Sequence, residues 1–229
     1  MRMTAFVLAL LLSVAAPATA QEWELYQSLE DTFEVNFPGT PTITESTYST
    51  SRGYVLPARV YSADRAPGRY TMTVVDYSGI EAMGTARSET CESGNVQCRP
   101  TDNSTSEVAQ NNIGNGYWIH EERNAMTWAT SQLIRAAEEM TLLSWEWQDV
   151  VEGLNVILTN ADRSRTFAYV TMHEHKLYIM EGTVPGGYPE PGLFQQSLGW
   201  IDGEGNPVRY DIIYSNMYHG MGLYPRPGR

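Results

Sequence analysis

Two histidines flank a glutamate in the run His173-Glu174-His175, and this pattern is the one in the chain most typical of metal chemistry. Alternate residues of a β-strand point to one side of it, so both imidazoles would share a face and could bind zinc or copper. A closed zinc site needs further ligands, which Glu181, His120 or His219 could supply only if the fold brought them close. We favour the simpler interpretation, in which two polar side chains lie on the solvent face beside a hairpin turn.

Other arrangements that could carry catalysis are less specific. The chain has no G-x-S-x-G elbow, P-loop, G-x-G-x-x-G or H-E-x-x-H motif. Asp76 and Asp149 each end a predicted strand, and two such carboxylates could face one cleft as an acid and base pair. A chain with 27 Asp and Glu residues offers several such pairs by chance. The sequence therefore predicts no catalytic residue and no cofactor, with metal binding or hydrolysis at the His173 and His175 face kept as an alternative.

Aromatic residues are the second group with a possible binding role. Trp145 and Trp147 share one face of a predicted strand, and core packing is the expected role of both. The C-terminal segment is rich in tyrosine without a hydrophobic period. We expect Tyr214, Tyr218 and Tyr224 to contact a partner there, because exposed aromatic rings anchor proteins or stack on sugars.

Two cysteines, Cys91 and Cys98, bracket a short polar stretch. In an oxidising compartment their spacing favours a disulfide that closes a small loop, worth about 2–3 kcal/mol. The spacing differs from the C-x-x-C redox motif, and two thiols without a nearby histidine make a poor zinc site. We predict a structural disulfide.

The N-terminus predicts export. Residues 1–20 combine Arg2, an apolar run and the small-residue site Ala18-Thr19-Ala20, as in a secretory signal peptide. No later stretch is long and apolar enough for a membrane span. The net charge of −12 at pH 7 and the lack of a Lys/Arg cluster disfavour nucleic acid and anionic lipid as partners. We expect a periplasmic or secreted protein.

Strand signals open and close the predicted domain, residues 21–203. Phe33, Val35 and Phe37 alternate with polar residues before Pro38-Gly39 ends the strand. A Thr-rich strand follows from residue 42, and two further strands are joined by Arg65–Gly68. After a meander of four strands from residue 142, Leu193, Phe194, Leu198 and Trp200 are expected to pack on the sheet from a short helix.

The middle and the end of the chain differ from these strands. Residues 81–116 are polar and contain the two cysteines, which predicts an excursion outside the core. A helical stripe then follows over residues 120–140. Residues 204–229 form an aromatic tail of undefined structure. Strands, one long helix and a meander together predict an α+β sandwich with a mainly antiparallel sheet.

The opening F-x-V-x-F-P-G-x-P, the later VLPARVYSA and YTMTVVDYS runs and the GLFQQSLG helix (192–199) resemble a family of uncharacterised exported proteins of alphaproteobacteria. More remotely, the order of elements is similar to PsbP-like domains. That resemblance implies an α/β/α sandwich and a role as an accessory or assembly factor that binds a larger protein complex. No functional motif is matched, so it assigns no functional residue.

Three functions follow as expectations. The first is a non-catalytic accessory or assembly protein with a protein partner in the cell envelope. The second is a metal-binding protein or hydrolytic enzyme. The third is binding of envelope carbohydrate through exposed aromatic residues. Convergent histidines and carboxylates in a pocket would favour the second, and a flat aromatic patch the first.

Overall fold

The computed structural model describes residues 23–89 and 117–215. Within them lie ten strands: β1 (Glu24–Ser28), β2 (Phe33–Phe37), β3 (Thr42–Ser49), β4 (Val55–Arg65), β5 (Gly68–Asp76), β6 (Glu139–Gln148), β7 (Val151–Thr159), β8 (Arg165–His173), β9 (Lys176–Val184) and β10 (Gly199–Trp200). The helices are α1 (Ile80–Glu89), α2 (Tyr117–Ala136) and α3 (Gly192–Gln195).

Seven strands form one antiparallel sheet in the order β3-β4-β5-β9-β8-β7-β6. Strands β6 to β9 follow one another through short connections and pair in sequence order, as the meander pattern predicted. The chain enters this meander from α2, and β9 closes it by pairing with β5. The mixed α+β class with a mainly antiparallel sheet is therefore confirmed.

The second strand behaves as its alternation predicted. Phe33, Val35 and Phe37 are fully buried, while the residues between them are partly exposed. Gly39 then takes a left-handed φ of 100°, which a residue with a side chain adopts only with strain, so the chain turns there. Strand β2 pairs with β1 and β10 in a separate sheet of three strands.

Helices cover one face of the large sheet. Ala125 and Ala129 of α2 are buried against it, and Leu133 packs on Val156 and Leu158. This face is called the helix face below. The helix predicted over residues 120–140 is confirmed, but it ends at Ala136, because the chain turns into β6 at Glu139.

The three-stranded sheet, α3 and residues 208–214 cover the opposite face. Its core cluster joins Phe33 and Phe37 to Tyr169, Tyr178 and Trp200. Phe194 and Leu198 are buried as predicted, whereas Leu193 is exposed, so the prediction for that residue is wrong. Tyr210 and Tyr214 also belong to this cluster, although their sequence shows no hydrophobic period.

Several predicted features lie partly or wholly outside the described residues. The start of the predicted excursion is helical, since α1 covers Ile80–Glu89 with Ile80 buried. Cys91, Cys98, the predicted signal peptide, His219, Tyr218 and Tyr224 all lie outside residues 23–89 and 117–215. Over those two ranges, neither of the long helices is apolar enough to cross a bilayer.

Candidate functional site

His173 is the last residue of β8 and points away from the helix face into the core. Its side chain is 0% exposed and stacks on Trp200, with ring centroids 4.2 Å apart. Its Nε2 is 2.6 Å from the hydroxyl of Tyr210, and its ring lies 4.9 Å from that of Tyr214. Burial lowers the pKa of His173 to about 3, so the ring is neutral at pH 7. The favoured interpretation, a solvent-facing polar side chain, is therefore wrong for His173.

His175 lies in a different environment. Glu174 and His175 form the two-residue turn between β8 and β9, with φ of 45° and 64°. This turn takes His175 off the strand, so the two imidazoles do not share one face. His175 Nδ1 is 3.1 Å from Oε1 of the buried Glu122, and that hydrogen bond raises the pKa of His175. Among the described residues, no group of three His, Cys, Asp or Glu side chains is placed to hold a metal ion.

The two carboxylates considered as an acid and base pair are also apart. Asp76 ends β5 and its Oδ1 accepts a hydrogen bond from the Ser78 backbone N–H at 2.8 Å. Asp149 lies in the turn after β6, where its Oδ1 contacts Nη1 of Arg209 at 2.6 Å. Four strand spacings separate β5 from β6, or about 19 Å, so these groups cannot act on one substrate atom.

A buried carboxylate that the sequence did not single out lies at Asp31, in the turn between β1 and β2. Its Oδ2 accepts a hydrogen bond from the Tyr61 hydroxyl at 2.7 Å and forms an ion pair with Arg59 Nη1 at 2.9 Å. Its Oδ1 accepts a hydrogen bond from Lys176 Nζ at 3.0 Å, and its backbone oxygen accepts one from the Tyr178 hydroxyl at 2.8 Å. Each of its two side-chain oxygens is paired with a cation, so Asp31 joins the two sheets.

An exposed pair of aromatic side chains lies on β6, an edge strand that pairs with β7 alone among the described strands. Trp145 is 50% exposed and Trp147 is 55% exposed, with ring centroids 5.2 Å apart. The expectation that both tryptophans pack in the core is wrong, because the helix layer stops short of this edge. That they share a strand face is confirmed.

Register shows which side chains accompany them. Met140, Leu143, Trp145 and Trp147 stand opposite Leu158, Val156, Leu154 and Glu152 of β7, on the helix face. A bulge at Thr141 keeps Met140 on this side. These four exposed apolar residues are called the β6 surface below. Leu142, Ser144, Glu146 and Gln148 lie on the other face of the strand.

A buried glutamate fixes the position of Trp145. Glu152 is 8% exposed, and its Oε2 accepts a hydrogen bond from Trp145 Nε1 at 3.2 Å. Its Oε1 accepts a hydrogen bond from the Ser215 hydroxyl at 2.5 Å. Burial of a carboxylate is unfavourable unless it is hydrogen-bonded, and here one of its two oxygens holds a half-exposed indole in place. The rotamer of Trp145 is thus fixed in advance of any contact with a ligand.

The predicted partner contacts in the C-terminal segment are distributed differently. Tyr214 is only 5% exposed and packs against His173. It is therefore a core residue, and the prediction that it contacts a partner is wrong. Tyr218 and Tyr224 fall outside the described residues. Compared with protein-family models and with characterised proteins, the chain matches none of them.

Proposed function

We propose that this chain is a non-catalytic, exported accessory or assembly protein that binds a protein partner in the cell envelope through the β6 surface. One observation carries the proposal: the buried carboxylate of Glu152 holds the exposed Trp145 in a fixed position. Tryptophan side chains that are rigid before contact lose little entropy on binding, and such residues dominate the energy of protein interfaces.

The polar groups of the core support a binding role over a catalytic one. His173 is enclosed by aromatic rings, and Asp31 is paired with two cations. The exposed apolar side chains of the β6 surface lie next to one another, and a contiguous apolar patch of this kind marks an interaction site in soluble proteins.

The finer identity is part of the same proposal. A helix layer on a mainly antiparallel sheet supports the PsbP-like interpretation, while the three-stranded sheet on the opposite face differs from a second helical layer. The charged start, apolar run and small-residue site of residues 1–20 support export to the periplasm or beyond.

Site-specific photocrosslinking tests the proposal. A benzophenone amino acid replaces Leu143, which is exposed within the β6 surface, and in a control chain it replaces Ile43, exposed on the opposite edge strand β3. Each chain is irradiated in a native envelope extract, and the adducts are identified by mass spectrometry. We expect one protein adduct at position 143 and none at position 43, and loss of that adduct when Trp145→Ala and Trp147→Ala are added. Equal adducts at both positions, or no protein adduct at position 143, would contradict the proposal.

Binding of envelope carbohydrate is the second candidate, and the two exposed indoles favour it because sugars stack on aromatic rings. The rings meet at 54°, so they offer a corner rather than one flat platform. A glycan array distinguishes the candidates: retention of one polysaccharide that depends on Trp145 and Trp147, without a protein adduct, would favour carbohydrate.

A further inference from the structure

Strand β6 has a free edge along its length. It pairs with β7 through Glu139–Gln148, and no other described strand lies on its outer side. In an antiparallel pair, alternate residues direct their N–H and C=O groups away from the partner strand. Those groups on β6 are therefore available to a further strand. Edge strands in soluble proteins are commonly protected by Lys, Pro or a bulge. Strand β6 contains no Lys or Pro, and its bulge at Thr141 lies near its start, which leaves Leu142–Gln148 regular.

The two faces of β6 differ in chemistry. Met140, Leu143, Trp145 and Trp147 are on the helix face, while Glu139 and Glu146 are both on the other, as their partners Thr159 and Gly153 in β7 show. Glu146 is held there because its Oε1 accepts hydrogen bonds from Ser144 and Asn155, each at 3.1 Å. An added strand would thus meet apolar side chains on one face, and on the other two carboxylates with Leu142 between them.

The charged residues of the β6–β7 hairpin have one sign. Between residues 136 and 162 the sequence has six acidic residues and no Lys, Arg or His: Glu138, Glu139, Glu146, Asp149, Glu152 and Asp162. Two basic residues adjoin this hairpin: Arg209 is paired with Asp149 at its turn, and Arg165 of β8 stands opposite Thr159 at the far end of β7. The strand pair β6 and β7 therefore favours a cationic segment over an anionic one.

We propose that β6 binds an extended, basic segment of a partner protein by strand addition, with apolar residues at every second position and Lys or Arg between them. The apolar residues pack on the β6 surface, and the basic residues lie opposite Glu139 and Glu146. This inference rests on the proposed function and adds the chemistry of the partner. A second copy of the chain is a poorer occupant, because each copy carries a net charge of −12 and symmetric pairing of β6 brings the acidic faces together.

A titration with labelled peptides tests the inference on the full chain. The probe is the extended peptide Lys-Val-Lys-Val-Lys-Val, and two controls keep its length: Glu-Val-Glu-Val-Glu-Val reverses the charge, and Lys-Lys-Lys-Val-Val-Val removes the alternation. We expect the probe to bind more tightly than either control. Its affinity should fall as the Debye length is shortened from about 30 Å to about 8 Å by added salt.

Variants assign the binding to β6. The double substitution Trp145→Ala and Trp147→Ala should lower the affinity for the probe peptide by about thirtyfold, since exposed aromatic anchors carry much of the binding energy. The double substitution Glu139→Gln and Glu146→Gln should lower the affinity for the probe peptide by about fivefold at low salt. It should also remove most of the dependence of that affinity on salt. Ile43→Ala on the opposite edge is the control and should leave affinity unchanged. All these side chains are exposed, and circular dichroism checks that each variant is folded.

The outcomes separate this inference from the proposed function. A photocrosslinked partner at position 143 together with equal affinity for all three peptides would overturn the inference and leave the proposed function in place. Absence of both the protein adduct and peptide binding would overturn both. A dimer in sedimentation that depends on Trp145, or a crosslink from position 143 to residues 216–229 of the same chain, would show that the occupant is not a partner segment.

Discussion

Protonation of His173 should control the acid stability of the fold. The folded pKa is lowered from 6.5 to about 3, because the ring is fully buried among Trp200, Tyr210 and Tyr214. A group with a lowered folded pKa binds its proton mainly in the unfolded state. The contribution of neutral His173 to stability is therefore complete above pH 6.5 and is lost as the pH falls from 6.5 towards 3.

The size of the effect follows from those two values. At pH 5 the unfolded chain gains about 2 kcal/mol from protonation of this histidine, and at pH 4 about 3 kcal/mol. The difference between pH 7 and pH 5 is a large fraction of the 5–15 kcal/mol that is typical of domain stability. His175 contributes in the opposite direction: its pKa is raised by Glu122, so its contribution is present at low pH and is lost as the pH rises through the folded pKa.

Urea unfolding of matched variants measures this term. His173→Phe alone leaves the Tyr210 hydroxyl without its partner, so the informative variant combines it with Tyr210→Phe. The free energy of unfolding of the wild-type chain should fall between pH 7 and pH 5 by about 2 kcal/mol more than that of the double variant. An equal fall in the two proteins would refute the reasoning, since it would show that buried His173 binds its proton as readily as it does in the unfolded chain.

Three further predictions concern the same framework. Asp31→Asn should lower the free energy of unfolding by about 3 kcal/mol, since Arg59 and Lys176 lose their shared counter-ion. Asp64→Asn should change it little, because Asp64 forms an exposed pair with Arg69 at 3.9 Å. Chemical denaturation compares the two variants, and equal losses of stability would contradict a stabilising role for the buried Asp31 network. Gly153→Ala should lower the free energy of unfolding by about 2 kcal/mol, because a Cβ at that position would lie 2.5 Å from the Tyr169 ring. Gly192→Ala is the control, since nothing lies within 4 Å of a Cβ there. Equal melting temperatures of the two variants in a thermal scan would contradict the prediction. Reduction of the predicted Cys91–Cys98 disulfide should lower the melting temperature modestly without unfolding the chain, and a melting temperature insensitive to reductant would count against the bond.

Local patterns predicted the elements of the sheet well. The period of two in residues 33–37 gave a buried strand, and the short connections of the meander gave its antiparallel order. Those features depend on neighbours in sequence, which is why they can be predicted from it. The end of α2 was placed four residues too late, because Met140 extends the helical stripe in sequence but belongs to β6 in the fold.

The candidate site depended on information that is not local. The turn at Glu174 and His175 lacks the Asn-Gly signal typical of left-handed hairpin turns, so the sequence did not show that the two histidines would separate. Whether Trp145 and Trp147 are buried depends on β6 being the last strand of its sheet, a property set by long-range pairing. The acidic character of the β6–β7 hairpin could have been predicted, since residues 136 to 162 lack any basic residue.

Amide hydrogen exchange along β6 tests the central claim most directly. In the full chain without a partner, alternate amides between Leu142 and Gln148 should exchange at the rate of unprotected groups, because their N–H bonds point to the free edge. Addition of the alternating basic peptide should slow these same amides and leave those of β3 unchanged. Slow exchange of every β6 amide before any peptide is added would contradict the account, since the edge would already be covered.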